Sequence, residues 1–446
     1  MWTGSASSSW TERYVVGAGS NASIAGQNES PAAMAQTVER PRGLKRLAFF
    51  TIMMVIACTF SLGILELALR VYYTDRQSSN WTAFHDMRGW SLVPGHYWVK
   101  PLQRLTSFPV NVNAFGLRDL DAPPRPAGAP KLVVLGDSFT FAKETRTEKM
   151  FTRQLQDLLD KRSPAVEVLN AGVPGYGTAQ QLLLEQELRD QHGVNGRVYL
   201  LVFFTNDILD NLRLSYGNLA PQPVRPGFVV AEDGRPVLES RPEKRFDPED
   251  DTLAENPASR GLRTLSIGKA IGEEWLQSRP SIVKALGRIG IKTQIARMPA
   301  ILNGWYRDDV TPRGTVLTRA LLRQLNDDVK SHGGKLLVSM VPSPIQVYPD
   351  TYVPMLQKSF PGDPVIERFV AEKDRPERLV REICVEAGIP FQDLLSVFLQ
   401  HNDQSLFIPR DGHLNDAGHS VVGRSLFDFV TSHWPESADS EARIHP

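Results

Sequence analysis

Residues 131–139 read KLVVLGDSF, an apolar run that ends in Gly, Asp and Ser. Three more short apolar runs follow it along the chain: VEVLN (166–170), RVYLLVFFTND (197–207) and KLLVSMVPSP (335–344). Each is rich in Val, Leu or Phe and is closed by Gly, Pro, Asn or Asp. Such near-continuous apolar runs are typical of strands that are buried on both faces of a parallel sheet.

Amphipathic stretches separate these runs. Residues 150–162 place Phe151, Leu155 and Leu159 on one side of a helix, because these positions recur at helical spacing. The stretches 177–193 and 317–332 have a similar pattern. Strands that alternate with helices predict an α/β fold of three layers, α/β/α, with a parallel sheet in the middle.

The pattern also divides the chain into regions. We predict a disordered segment over 1–42, a transmembrane signal-anchor helix over 43–73, and a juxtamembrane segment with a Pro-rich linker over 74–130. The α/β domain is expected over 131–435. Within it, residues 212–311 hold many Pro, Arg, Asp and Glu residues with weak periodicity, so we interpret them as an insertion.

The transmembrane prediction rests on residues 47–65, LAFFTIMMVIACTFSLGIL, which carry no charge. About 20 apolar residues suffice to cross a bilayer as a helix. Basic residues precede the run (Arg40, Arg42, Lys45 and Arg46), which favours a cytoplasmic N-terminus and a domain outside the cytoplasm, periplasmic or extracellular. Three aromatic residues are interpreted as marking the far interface: Tyr72, Tyr73 and Trp81. A buried core helix and a cleaved signal peptide are the alternatives.

Composition excludes several other classes. Lys plus Arg and Asp plus Glu both number 50, so the formal net charge is zero and no nucleic-acid partner is indicated. The two cysteines, Cys58 and Cys384, do not form a disulfide framework, since Cys58 lies in the apolar run. The sequence has no His and Cys cluster with metal-ligand spacing, so we predict no metal and no cofactor. The oligomeric state is left open.

Chemically informative residues stand where the predicted strands end. Ligands of open parallel sheets bind at the carboxyl ends of the strands. The first run ends in Gly136-Asp137-Ser138, the second continues as NAGVPGYGT (170–178), and the third ends in Thr205-Asn206-Asp207. The block DGHLNDAGH (411–419) follows near the C-terminus. Each motif is weak alone, but the four in this order form a much stronger signal.

This set resembles the SGNH hydrolase superfamily of GDSL-type esterases, in particular its membrane-anchored bacterial members. The resemblance covers roughly residues 131–215 and 335–430 and implies a flavodoxin-like fold. It implies that Ser138 attacks an ester carbonyl, that His413 is the general base and that Asp411 orients it. It also implies an oxyanion hole made by the N–H groups of Ser138 and Gly175 and the side-chain amide of Asn206.

Elementary chemistry requires the same residue types. A Ser hydroxyl is a poor nucleophile until a neighbouring imidazole takes its proton. That imidazole needs a carboxylate to fix its tautomer and to stabilise its charged form. The tetrahedral intermediate carries a negative oxygen, which preorganised N–H donors stabilise.

The last block departs from the family pattern. The family usually has Asp-x-x-His, whereas Asp411 and His413 are only two positions apart; Asp416 and His419 have the family spacing. The run His413-Leu414-Asn415 followed by Gly418 matches the family's His-Pro-Asn-x-x-Gly. We therefore predict that His413 is the base and that His419 falls on the first turn of the final helix, facing away.

Two further segments have open interpretations. NAFGLR (113–118) resembles an Asn-x-x-Gly-Phe-Arg element of the membrane-bound members; it either packs beside the active site or forms a turn with a buried Phe115. Pro342-Ser343-Pro344 either lines the substrate cleft or only ends the fourth strand.

The function that we predict is hydrolysis of an acyl or acetyl ester through an acyl-enzyme, on a small-molecule or glycan substrate. Contact with membrane lipid is expected through the N-terminal helix alone. An O-acyltransferase that acts on a polysaccharide would use the same catalytic residues. A non-catalytic carbohydrate-binding or scaffold protein on the same fold is the third hypothesis.

Overall fold

The computed structural model describes residues 42–72, 81–99, 107–162, 166–216, 219–244, 298–408 and 411–435. Nearly all of the segment predicted to be disordered, 1–41, lies outside the described residues, as does the larger part of the predicted insertion, 245–297.

The described strands are, in chain order, β1 (Thr82–His85), β2 (Gly89–Leu92), β3 (Gly95–Val99), β4 (Phe108–Val112), β5 (Lys131–Gly136), β6 (Glu167–Gly172), β7 (Gly196–Phe204), β8 (Gly227–Val230), β9 (Pro236–Ser240), β10 (Lys335–Val341) and β11 (Phe391–Asp393). The described helices are α1 (Arg42–Tyr72), α2 (Ser138–Phe141), α3 (Phe151–Arg162), α4 (Thr178–Asp190), α5 (Asp207–Asn211), α6 (Ala300–Trp305), α7 (Thr311–Ser331), α8 (Pro344–Val347), α9 (Pro349–Ser359), α10 (Pro364–Ala371), α11 (Arg375–Ala387), α12 (Leu395–Leu399) and α13 (Asp416–His433).

Helix α1 carries the apolar run. Its segment Lys45–Leu69 has 25 residues; an 18-residue window within it has a mean hydropathy of 2.3, and none of that window is buried. A helix of this length and composition is long and apolar enough to cross a membrane.

The central sheet has the strand order β6-β5-β7-β10-β11, and every neighbouring pair is parallel. All four predicted strands belong to it. Strand β11 was not predicted because its three residues give no recognisable apolar run. Counted along the chain from β5, the order is 2-1-3-4-5, the flavodoxin-like arrangement. The prediction of an α/β fold with a parallel sheet is confirmed.

Helices cover both faces of this sheet. Leu132 and Val134 of β5 belong to the apolar core that packs against α3 and α13. Val133 and Leu135 of the same strand belong to the core that packs against α4, α7 and α11. Successive side chains of a strand point to opposite faces, so a strand between two helical layers must be apolar at every position.

The region between α1 and β5 differs from the prediction of a juxtamembrane segment and linker. Strands β1 and β2 form one antiparallel hairpin, and β3 and β4 form another. Trp81 is buried and stacks on Phe141 with 5.2 Å between ring centroids, so it does not mark a membrane interface. These strands have only four or five residues each, which is too short for a clear alternation of apolar and polar residues.

The segment 113–118 forms a turn that ends in a buried arginine. The Asn113 side chain accepts hydrogen bonds from the N–H groups of Phe115 and Leu117. Leu117 is buried, whereas Phe115 is 39% exposed, so the alternative of a buried Phe115 is wrong. The backbone of Arg118 forms an isolated antiparallel β-bridge with Asn170 of the edge strand β6. Its guanidinium Nη1 donates to the carbonyls of Phe141 and Ala142, at 2.7 Å each, in the loop after α2.

The last part of the predicted insertion, before residue 311, is packed in the hydrophobic core. Helix α6 is buried, and the Trp305 indole N–H donates to the Thr205 carbonyl at 2.7 Å, directly after β7. Earlier in the insertion, β8 and β9 form an antiparallel hairpin. Helix α6 therefore packs against the carboxyl end of β7, whereas the β8–β9 hairpin contacts helix α7.

Arg118→Met should destabilise the domain, because it leaves the buried carbonyls of Phe141 and Ala142 without their donor. We expect a loss of about 3 kcal/mol in the free energy of unfolding. Denaturant unfolding of the full chain in detergent, followed by tryptophan fluorescence, measures this. The control is Arg323→Met, whose side chain is 49% exposed beside Glu386 and should cost under about 1 kcal/mol. Equal costs for the two variants would contradict the role of Arg118.

Candidate active site

Ser138 lies where β5 passes into α2. The side chain of Asp137 accepts a hydrogen bond from the Phe139 N–H at 2.9 Å and so caps this short helix. Gly136 is required at the end of the strand, because a Cβ there would overlap the Thr140 hydroxyl. The result is a serine at the carboxyl end of β5, which lies between β6 and β7 in the sheet.

The structure brings Ser138, His413 and Asp411 together. His413 Nε2 lies 2.8 Å from Ser138 Oγ, and His413 Nδ1 lies 2.5 Å from Asp411 Oδ1. Gly412, between the two, has φ of +86°, a left-handed conformation that favours glycine. This turn brings the Asp411 carboxylate beside the imidazole although the two residues are only two positions apart.

His419 occupies a different place. It lies in the first turn of α13, is buried, and its ring stacks on Phe151 with 5.9 Å between centroids. Its Nδ1 accepts a hydrogen bond from the Phe151 N–H. Asp416 accepts a hydrogen bond from the Thr145 hydroxyl at 2.6 Å. This pair therefore joins α13 to neighbouring elements, while His413 approaches Ser138.

The charges around His413 set its protonation. Burial by itself lowers the pKa of His413, but the charge of Glu144, the hydrogen bond to Asp411 and the charge of Asp411 outweigh it and raise the pKa to about 9. Burial acts to raise the pKa of Asp411, but its hydrogen bonds to the His413 ring and N–H, together with the positive charges of His413 and Lys143, outweigh this and hold the pKa below the ordinary value. A base with this pKa is mostly protonated at pH 7 and becomes available as the pH rises towards 9.

The two backbone N–H groups that were predicted for the oxyanion hole belong to residues that follow neighbouring strands. Gly175 follows β6 with φ of +77°, and Ser138 follows β5; both line the cavity described below. Neither N–H donates a hydrogen bond to another described residue. Both remain available to a ligand.

Asn206 is placed at the end of β7, but its amide is engaged. Its Nδ2 donates to Asp210 Oδ2 at 2.8 Å and to the Tyr216 hydroxyl at 2.9 Å. The Tyr216 hydroxyl in turn donates to Asp210 Oδ2 at 3.0 Å. Asn206 can donate to a ligand only if it exchanges one of these partners. Tyr216 is part of the predicted insertion, where no sequence motif indicated it.

Arg225 and Trp90 hold the Gly175 turn from outside the sheet. Arg225 donates to the Gly175 carbonyl, and its guanidinium lies 5.2 Å from the centre of the Trp90 ring. It also forms an ion pair with the buried Asp210, at 2.8 Å. The Trp90 indole N–H donates to the Pro174 carbonyl at 3.0 Å. Neither residue was predicted from the sequence, because only the fold brings them to this turn.

A cavity of about 1090 Å³ opens over these groups. Besides the polar groups already named, its lining includes apolar side chains from several segments: Phe204, Leu214, Met298, Ile301, Ile345 and Phe360. Ser343 and Pro344 also line it, as one interpretation of that segment predicted. Mostly apolar walls with a few polar groups are typical of small-molecule sites.

One group of described residues has metal-ligand spacing. Ligand atoms of Glu144, Asp411 and His413 lie within 4.8 Å of one another. Both ring nitrogens of His413 already make hydrogen bonds, to Asp411 and to Ser138. A cation here would have to displace one of them, so the arrangement fits a hydrogen-bonded triad better than a metal site.

Comparison with known proteins gives a limited result. No family model matches the sequence, and no curated protein matches it. Among solved structures, the chain is similar to TesA (12% identity, TM-score 0.34, covering 68% of this chain and 98% of that one). It is similar to LAE5, an alpha/beta hydrolase enzyme from the metagenome of Lake Arreo, Spain (12%, 0.35, 70% and 99%). It is also similar to a catalytic mutant of Axe2, an acetylxylan esterase from Geobacillus stearothermophilus (13%, 0.34, 70% and 100%). Similarity at this level carries no argument about function, which must come from the site itself.

Proposed function

We propose that this chain is a serine esterase of the SGNH superfamily that cleaves acyl esters through an acyl-enzyme. The observation that supports this most directly is the hydrogen-bonded series Ser138–His413–Asp411 at the carboxyl edge of the sheet. The order of the motifs along the chain supports the superfamily, because Ser138, Gly175 and Asn206 follow three adjacent strands.

In the proposed mechanism, Ser138 Oγ bonds to the ester carbonyl carbon while His413 Nε2 takes the hydroxyl proton. Asp411 keeps the imidazole in the reactive tautomer and stabilises its charged form. The tetrahedral intermediate collapses when the bond to the alcohol breaks and His413 returns the proton to the departing oxygen. A water molecule then bonds to the acyl carbon while His413 takes its proton. The bond from that carbon to Ser138 Oγ breaks, His413 returns the proton to Oγ, and the acid leaves.

The negative oxygen of the intermediate is proposed to bind to the N–H groups of Gly175 and Ser138. Asn206 would join them by exchanging its hydrogen bond with Tyr216 for one with the substrate oxygen. The Tyr216 hydroxyl would keep its own hydrogen bond to Asp210 Oδ2 after the exchange. The Asp210 contact would keep the amide oriented.

We propose that helix α1 anchors the enzyme in a membrane, with the α/β domain outside the cytoplasm. The length and hydropathy of Lys45–Leu69 support the anchor. The basic residues that precede the uncharged run 47–65, Lys45 and Arg46 among them, support the orientation.

Ser138→Ala should abolish labelling by a fluorophosphonate probe, because the probe forms a covalent bond with an activated serine oxygen. The matched control is Ser343→Ala, which removes another serine that lines the same cavity and should leave labelling intact. In-gel fluorescence of the purified chain reads out both. Labelling that survives in Ser138→Ala would exclude this residue as the nucleophile.

His413→Ala and His419→Ala should have different effects: the first should lower catalytic activity and the second should lower stability. Loss of the base should lower kcat/KM for a p-nitrophenyl ester by about 100- to 10,000-fold, with the fold intact. His419→Ala opens a space in the packing beside Phe151, so it should lower the free energy of unfolding and leave kcat/KM per folded molecule nearly unchanged. A fully active His413→Ala would refute the assignment.

The orientation predicts that an alkaline phosphatase fused after Pro446 is active, because this reporter folds only after export. A green fluorescent protein at the same position should stay dark after export through the general secretory route. A bright fluorescent fusion together with an inactive phosphatase fusion would show that the domain lies in the cytoplasm and would contradict the proposed orientation.

A further inference from the structure

We propose that Glu144 is a second positioning residue for His413, which acts beside Asp411 on ring nitrogen Nδ1 and stabilises the imidazolium that forms when Ser138 gives up its proton. The inference rests on the proposed function, since it assigns His413 the role of base. Glu144 was not among the site residues predicted from the sequence.

The position of Glu144 is the first observation. Its Oε1 lies 3.7 Å from His413 Nδ1, whose hydrogen bond goes to Asp411. Glu144 is 2% exposed, and Oε1 has no hydrogen-bond partner among the described residues. Burying a carboxylate without hydrogen bonds is costly unless a positive charge compensates it. The imidazolium of His413 is one such charge.

The loop that carries Glu144 is fixed on both sides. Before it, Ala142 has φ of +55°, an uncommon conformation for a residue other than glycine. Arg118 holds this loop through the carbonyls of Phe141, Ala142 and, at 3.4 Å, Thr145. After it, the Thr145 hydroxyl donates to Asp416 at the start of α13. The backbone on either side of Glu144 is thus tied to two separate elements, which fixes where its carboxylate lies.

The surrounding charges support the same role. Glu144 lies near Arg118 and His413, and Lys143 Nζ is 3.9 Å from its Oε1. Around His413 are the acidic groups of Glu144, Asp411 and Asp137, with Lys143 as the opposing charge. Burial lowers the pKa of His413, and the charge of Glu144 is the largest influence that raises it, ahead of the hydrogen bond to Asp411.

The two carboxylates would have different tasks. Asp411 accepts the Nδ1 proton and so fixes the tautomer, while Glu144 contributes charge without taking the hydrogen bond. When the Ser138 proton moves to Nε2, the ring becomes positive and the group of two carboxylates and one imidazole passes from two negative charges to one. Glu144 therefore favours the charged state that accompanies the transition state.

The test is Glu144→Gln, which removes the charge and keeps the shape. In full-length protein with ¹³C-labelled histidine, NMR titration should show the His413 pKa fall by roughly one unit, the size expected for loss of a neighbouring charge. The midpoint of the rise of kcat/KM with pH, which reports deprotonation of His413, should move to lower pH by the same amount. The matched control is Glu148→Gln, an exposed residue of the same loop, which should move neither. If the His413 imidazole titrates at the same pH in Glu144→Gln as in the wild type, the proposal is overturned.

A second comparison separates this role from a merely structural one. Glu144→Gln should lower kcat/KM by a larger factor in an Asp411→Asn background than in the wild type. In that background Glu144 is the one remaining carboxylate of the pair that stabilises the His413 imidazolium. Additive losses would overturn the shared role. If Glu144→Gln does not fold, Glu144→Asp keeps the charge, and its His413 pKa should stay raised; a fall to the ordinary value would also overturn the proposal.

The titration reports on the imidazole directly and requires no turnover. A shifted pKa in a chain that hydrolyses no ester would refute the proposed function and leave the Glu144–His413 interaction standing. An unshifted pKa in an active esterase would refute the Glu144 inference alone.

Discussion

The hydrogen bond between Ser138 Oγ and His413 Nε2 joins two points that are 275 residues apart in the chain. It can form only if the strand before Ser138 ends at the edge where the loop before the last helix also arrives. The order of the parallel sheet meets this condition, because β5 lies between β6 and β7 and the segments after all three strands meet at one edge. The nucleophile, the Gly175 turn and Asn206 share that edge for the same reason.

Elements outside the sheet fix the loops of that edge. Trp90 and Arg225, which come from β2 and from the described part of the insertion, both bind the Gly175 turn. Arg118, from the turn after β4, binds the loop that carries Glu144. A loop on a sheet edge has few backbone partners of its own, so these side chains supply the hydrogen bonds that hold its conformation. Preorganised groups of this kind cost no reorganisation when charge develops in a reaction.

The sequence predicted the parts that depend on local pattern. Four buried strands were recognisable from continuous apolar runs, and Ser138 and His413 from short motifs beside them. Strands β1 to β4 were not recognisable, because four or five residues carry too little periodicity. Glu144 and Arg225 were missed for another reason: their partners are distant in sequence, as with Arg225 and Gly175, 50 residues apart. Tyr216 lies close in sequence to its partners Asn206 and Asp210 but stands in no recognisable motif. The geometry of Asp411 and His413 depended on the left-handed turn at Gly412, which the spacing of the motif did not reveal.

The central claim is that Ser138 carries the acyl group during turnover. Peptide mass spectrometry of enzyme quenched in acid during hydrolysis of a p-nitrophenyl ester tests it most directly. The account predicts that the peptide containing Ser138 gains the mass of the acyl group, and that the adduct disappears once substrate is exhausted. An active enzyme whose acyl adduct lies on another residue would contradict it.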